Sequence, residues 1–171
     1  MQSWKTPLLF SAKGICILLL SAALMSCGFN LRQANQPLTV TELRLVTKDY
    51  DAFAEKLSEV FRYRGVTLYS EGTDAFLGLV LVQYTEQERF LNDNSVQLWL
   101  EVRYLMNDIE QQPIMTVRKL QTDTKVNFDS GQPNSRETAV ANAREFLQLD
   151  LINRIFTQVQ SIPESQLPDS Q

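Results

Sequence analysis

The chain has 171 residues, no histidine, two cysteines, and 20 acidic against 16 basic side chains, for a formal net charge of −4. Without histidine there is no Ser-His-Asp or Cys-His relay and no imidazole for a zinc site. A net acidic chain is poorly suited to general binding of nucleic acid or anionic membrane, so an anionic ligand would need a local basic patch.

The N-terminal region carries Lys5 and Lys13, then an apolar run of ten residues, Ile15 to Leu24. A permanent transmembrane helix needs about 20 apolar residues. A positive start, a short apolar core and a small residue before the break are the parts of a secretory signal peptide, read here over residues 1–26. A short anchor or a buried core helix is the plainer alternative. Leu24-Met25-Ser26-Cys27 resembles a bacterial lipobox. That resemblance implies cleavage before Cys27, which would then carry a diacylglyceryl thioether and an acylated amino group. A single acyl chain holds a protein only marginally, whereas several hold it durably, since each buried methylene contributes about 0.8 kcal/mol. Gly28 stands where aspartate would favour retention in the inner membrane, which implies passage to the outer membrane, facing the periplasm. Removing residues 1–26 from the 171 leaves 145, enough for one domain, with a net charge of −6 and no cysteine left for a disulfide.

Residues 27–37 read as the lipidated N-terminus and a polar linker, and 38–162 as a single domain. Leu38 to Val46 alternates apolar and polar residues like a strand. Thr47 or Asp49 is placed to cap a helix over Tyr50 to Arg64, with Phe53, Leu57, Val60 and Phe61 at helical spacing and Gly65 as its stop. Val66 to Ser70 is a short strand, followed by a turn at Glu71 to Asp74. Phe76 to Arg89 begins apolar on both faces and ends polar on both, a strand that emerges from the core near Gln83. After a turn at Asn92 to Ser95, Val96 to Met106 alternates cleanly, with Val96, Leu98, Leu100, Val102 and Tyr104 on one face. Asn107 to Pro113 turns the chain into a last strand, Ile114 to Phe128. Asn134 or Ser135 then caps a long helix to about Gln160, with a capping-box spacing from Asn134 to Glu137. Val140, Ala143, Phe146, Leu147, Leu151, Ile155 and Phe156 form its apolar stripe. Residues 163–171 read as a disordered tail. The expected fold is α+β, with two amphipathic helices on one face of a mixed four- or five-stranded sheet, the other face remaining available.

Chemistry-bearing motifs are sparse. No Gly-rich phosphate loop of the Walker or dinucleotide type is present. The pairs Glu86/Glu88 and Asp93/Asp108 lack a spacing that marks acid–base catalysis and read as solvated surface or turn residues. A non-enzymatic protein without metal or cofactor is the expectation. Trp99 lies on the polar side of the cleanest strand, between Gln97 and Glu101. It is either a contact for a partner or lipid, as tryptophan often is at binding hot spots, or is covered by a neighbouring segment.

Cys27-Gly28-Phe29-Asn30-Leu31-Arg32 resembles the Cys-Gly-aromatic-x-Leu-Arg start of the LPS-assembly lipoprotein family, LptE, and the order of elements along the chain agrees. Asn30 stands where some members carry histidine. The resemblance implies an outer-membrane lipoprotein that plugs and helps fold a large β-barrel, LptD, and assists passage of lipopolysaccharide to the outer leaflet. Such a plug meets a polar lumen, so its contact surface should be mixed and wet. Lipopolysaccharide phosphates call for Arg or Lys. Candidates are Arg89, Arg118, Lys119, Lys125 and Arg136, of which Arg89 and Arg136 lie nearest to the basic positions of the family. The alternative is an accessory lipoprotein, or a lipid carrier, of another envelope complex.

Overall fold

The computed structural model describes residues 37–47, 52–69 and 77–163. The leader, Cys27 and the motif around it, Asp49, the turn at Glu71 to Asp74 and the tail beyond Pro163 lie outside the described residues. Seven elements follow in order: β1 (Glu42–Thr47), α1 (Ala52–Tyr63), β2 (Thr67–Tyr69), β3 (Gly78–Asn92), β4 (Ser95–Asn107), β5 (Pro113–Asn127) and α2 (Ser135–Gln160). They form one five-stranded sheet in the order β2-β1-β3-β4-β5. β1 runs parallel to β2 and β3, while β3, β4 and β5 are antiparallel neighbours. The fold is α+β with a mixed sheet, as the element pattern leads one to expect.

The local chemistry accounts for the ends of the elements. α1 stops in a Schellman motif: Val66 N–H donates to Phe61 O at 3.0 Å and Gly65 N–H to Arg62 O at 3.0 Å. Gly65 has φ 88°, a left-handed conformation that side-chain-bearing residues rarely adopt. Thr47 is the last residue of β1. The first strand also starts later than its alternation suggests. Val40 spends its backbone on the Gln160 side chain, which accepts from Val40 N–H at 3.0 Å and donates to Val40 O at 2.8 Å. A side-chain amide here replaces a neighbouring strand and ties the chain entry to the end of α2.

Asn134 precedes α2 in the left-handed region (φ 62°), and its side chain makes no capping hydrogen bond. The capping box read from the sequence is therefore absent. The next residue instead ties the loop together, with Ser135 Oγ accepting from Asp129 N–H at 3.0 Å. Asparagine tolerates left-handed backbone better than most residues, which explains its presence at this position.

Both helices cover one face of the sheet. Val96, Leu98, Leu100, Val102, Tyr104 and Met106 of β4 are all fully buried and belong to one core with Leu57 and Phe61 of α1 and Leu147, Leu151 and Ile155 of α2. Phe53 of α1 stacks on Tyr84 of β3 with ring centroids 4.6 Å apart. The helices lie alongside each other. Phe61 meets Phe156 edge-on at 5.3 Å, Arg64 lies over the same ring at 4.6 Å, and Lys56 pairs with Glu145 at 3.0 Å. Phe146, assigned to the buried stripe of α2 by its spacing, is 69% exposed; Ile152 and Val159 are buried instead. The stripe follows Leu147, Leu151 and Ile155, and Phe146 sits a third of a turn off it.

β3 carries an extra residue where its polarity changes. The register passes from Leu81↔Tyr104 to Gln83↔Arg103, which leaves Val82 bulged out of the ladder. The bulge restores alternation, so Tyr84, Glu86, Glu88 and Phe90 face the helices while Gln83, Thr85, Gln87 and Arg89 face away. β1 pairs with β3 only from Gly78 to Leu81. Beyond that point β3, β4 and β5 continue as a three-stranded antiparallel blade, with α2 along one side.

Candidate functional site

The blade's open face has a distinct composition. Across the register, Gln83, Thr85, Gln87 and Arg89 of β3 lie beside Arg103, Glu101, Trp99 and Gln97 of β4, which lie beside Lys119, Gln121, Asp123 and Lys125 of β5. Four cations face two carboxylates here, in a chain whose overall charge is negative. This is the local basic surface that an anionic ligand would require of an acidic protein.

Glu101 is the centre of its charge network. Lys119 Nζ lies 2.7 Å from one carboxylate oxygen and Arg103 Nε 3.0 Å from the other. The Lys119 hydrogen bond, opposed by desolvation and joined by the Arg103 hydrogen bond and the charges of both cations, holds the carboxyl below its ordinary value, so Glu101 stays ionised and oriented. Gln97 Nε2 donates to Asp123 on the neighbouring strand at 2.5 Å. Arg89 and Lys125 have no ion-pair partner among the described residues. At the middle of the face is an open depression of about 350 Å³, lined by Thr85, Gln87, Glu88, Arg89, Trp99, Glu101 and Gln121. Trp99 is half-buried within it.

The candidate residues divide between the two faces. Arg89, Trp99, Lys119 and Lys125 come together on the open face. Arg118 stands opposite Tyr104, on the helix side of the edge strand. Arg136 stands at the start of α2, where it pairs with Glu88 and lies over the Phe90 ring at 4.6 Å. Arg144, one α2 residue the sequence did not single out, bonds Glu86 at 2.6 Å, and Gln148 donates to Tyr84 Oη at 3.2 Å. Glu88 is exposed and Glu86 half-buried, and each pairs with an arginine of α2. Their like parity with Tyr84, once the Val82 bulge is counted, is the signal that places them there.

The hairpin tip and the start of α2 share one end of the molecule. Asn92 Oδ1 accepts from Asn94 N–H at 3.0 Å and from Ser95 Oγ at 2.8 Å, which shapes the turn. Phe128 N–H donates to Asn94 O at 3.0 Å and brings the loop before α2 against that turn. At the other end of the buried face, Tyr104 donates to Gln158, and burial pushes its hydroxyl pKa up to about 12 against the opposing pull of Arg118 and Arg154. Among the described residues no group of three or more His, Cys, Asp or Glu could hold a metal ion, and no helix is long and apolar enough to cross a membrane.

No protein-family model matches the sequence, and no curated protein does. Solved bacterial structures do resemble it. The likeness is one of fold. A minor lipoprotein from Acinetobacter baumannii superposes with a TM-score of 0.61 at 22% identity, over 79% of this chain and 99% of that one. Lipoprotein B from Nitrosomonas europaea gives 0.66 at 14% identity, over 78% and 91%. Rare lipoprotein B from Shewanella oneidensis gives 0.59 at 15% identity, over 70% and 94%. These matches cover nearly the whole of the other chains, so the helix-covered mixed sheet is a complete architecture they share.

Proposed function

We propose that this protein is a lipid-anchored component of the outer membrane that plugs and helps assemble the LptD β-barrel and assists insertion of lipopolysaccharide into the outer leaflet. The observation that carries the reading is the open face of the blade. It is polar and locally cationic, which suits the wet inner wall of a large barrel and a phosphorylated glycolipid passing along it. The lipobox at Leu24 to Cys27 and the motif that follows it supply the anchor and the family resemblance. The three solved neighbours named above are called lipoproteins, which agrees with an anchored envelope protein. The reading involves no covalent chemistry.

The lipid-carrier alternative is less well supported. A carrier needs an apolar cavity for acyl chains. Here the space between sheet and helices is filled by side chains with 7% exposure or less, from Leu43 and Leu79 through Leu98 to Ile155. A photo-crosslinking amino acid at Lys119, on the open face, should capture an outer-membrane barrel in intact cells, while the same group at Phe146, on the outer side of α2, provides the comparison. Crosslinks only to soluble or inner-membrane proteins would reject the plug.

A further inference from the structure

We propose that the Trp99 depression is a subsite for an anionic sugar, a pyranose ring bearing phosphate or carboxylate. The inference rests on the glycolipid reading above for the source of that sugar, and on the depression itself for its chemistry. The C–H face of a pyranose is apolar and packs on an indole, and Trp99 is half-buried with part of its surface open to the depression. Sugar hydroxyls each donate and accept. Glu101, held ionised and in place by Lys119 and Arg103, is an acceptor of fixed position. The Gln87 and Gln121 amides can donate and accept on either side. Arg89 lines the same depression, has no ion pair among the described residues, and can hold an anionic substituent with two hydrogen bonds.

Other ligand classes fit less well. Six of the seven lining residues are polar, so an acyl chain would find no continuous apolar wall. A volume of about 350 Å³ is near the lower end of ordinary small-molecule pockets, about 300–1,000 Å³, which suits one or two sugar rings rather than a whole glycolipid.

Trp4 and Trp99 are the two tryptophans, and Trp4 lies in the leader read as cleaved before Cys27, so the lipidated protein, held in mild detergent, reports on Trp99 alone; Trp4→Phe keeps this true of any uncleaved chain. Its fluorescence is titrated with the phosphorylated oligosaccharide of deacylated lipopolysaccharide, with maltotriose and with inorganic phosphate, and binding of intact lipopolysaccharide is followed by co-sedimentation. The expected result is a saturable change with the phosphorylated oligosaccharide, binding about tenfold weaker for maltotriose, and no saturation by phosphate alone. Arg89→Gln should weaken the phosphorylated ligand about tenfold and leave maltotriose unchanged. Equal affinity for maltotriose, saturation by phosphate alone, or an unaffected Arg89→Gln variant would overturn the proposal. No response to the oligosaccharide while intact lipopolysaccharide binds would reject the sugar subsite and leave the glycolipid reading standing. No binding of either would reject both.

Discussion

Replacing Arg136 separates a structural role from a ligand-binding one. Arg136→Gln removes the ion pair with Glu88 and the cation–π contact with Phe90. The Arg136 and Glu88 side chains are 43% and 25% exposed, so water screens the pair and it contributes about 0.5 kcal/mol. Phe90 is 62% exposed, which puts the ring contact at about 0.5–1 kcal/mol. Together the loss is about 1–1.5 kcal/mol, or roughly 3–7 °C in Tm for a domain of this size. Urea unfolding of the parent, Arg136→Gln, Glu88→Gln and the double variant gives the coupling directly. It should come to about 0.5 kcal/mol and shrink in 1 M salt. If Arg136→Gln changes stability by less than about 0.3 kcal/mol, or the two substitutions are additive, the pair does not form in solution. Arg136 would then be free for a ligand, as its sequence position suggests.

Leu151→Ala should cost about 2–5 kcal/mol by leaving a cavity in the core, whereas Phe146→Ala should stay within about 0.5 kcal/mol; denaturant unfolding that ranks them the other way would place the α2 stripe wrongly. Gly65→Ala should lower stability by about 1–2 kcal/mol, because alanine must hold φ 88° at the end of α1; an unchanged Tm would mean the Schellman turn is not kept. Folding favours ionised Glu101, so its contribution is present above the ordinary carboxylate pKa of 4.5 and is lost as pH falls through the lower folded value. Lys119→Met should bring that pKa back toward 4.5, as seen by NMR titration of the side-chain carboxyl, and an unmoved titration would show that Lys119 is not its partner. Tyr104 behaves oppositely: its neutral form is favoured, so its contribution holds below pH 10 and is lost as pH rises toward about 12, and a phenol absorbance step near 10 instead would show it to be solvated.

The elements with one clear period were legible in the sequence. β4 alternates over its whole length because one face is buried throughout, and the structure places those residues as the alternation implies. The Phe53, Leu57 and Phe61 spacing with Gly65 after it likewise marked α1 and its end. What was not legible depended on one-residue shifts and distant pairing. The Val82 bulge changes which of the polar β3 residues meet α2, and nothing local to residues 82 and 83 announces it. The arginine partners of Glu86 and Glu88 lie 58 and 48 residues away in the chain and so could not be read from it locally. Phe146 fits a helical stripe on hydrophobicity alone, but burial is decided by which face of α2 meets the sheet. The clustering of Arg89, Trp99, Lys119 and Lys125 follows from strand register, which sequence alternation constrains only within each strand.

The central claim, that this protein occupies an outer-membrane barrel, is tested most directly by isolating it from its own membranes. The tagged full-length protein would be purified in mild detergent, and the proteins that accompany it identified and weighed. A large β-barrel in near-equal amount is the expected result. Recovery of the protein alone, or with a soluble or inner-membrane complex, would contradict the claim and leave the accessory-lipoprotein reading in its place.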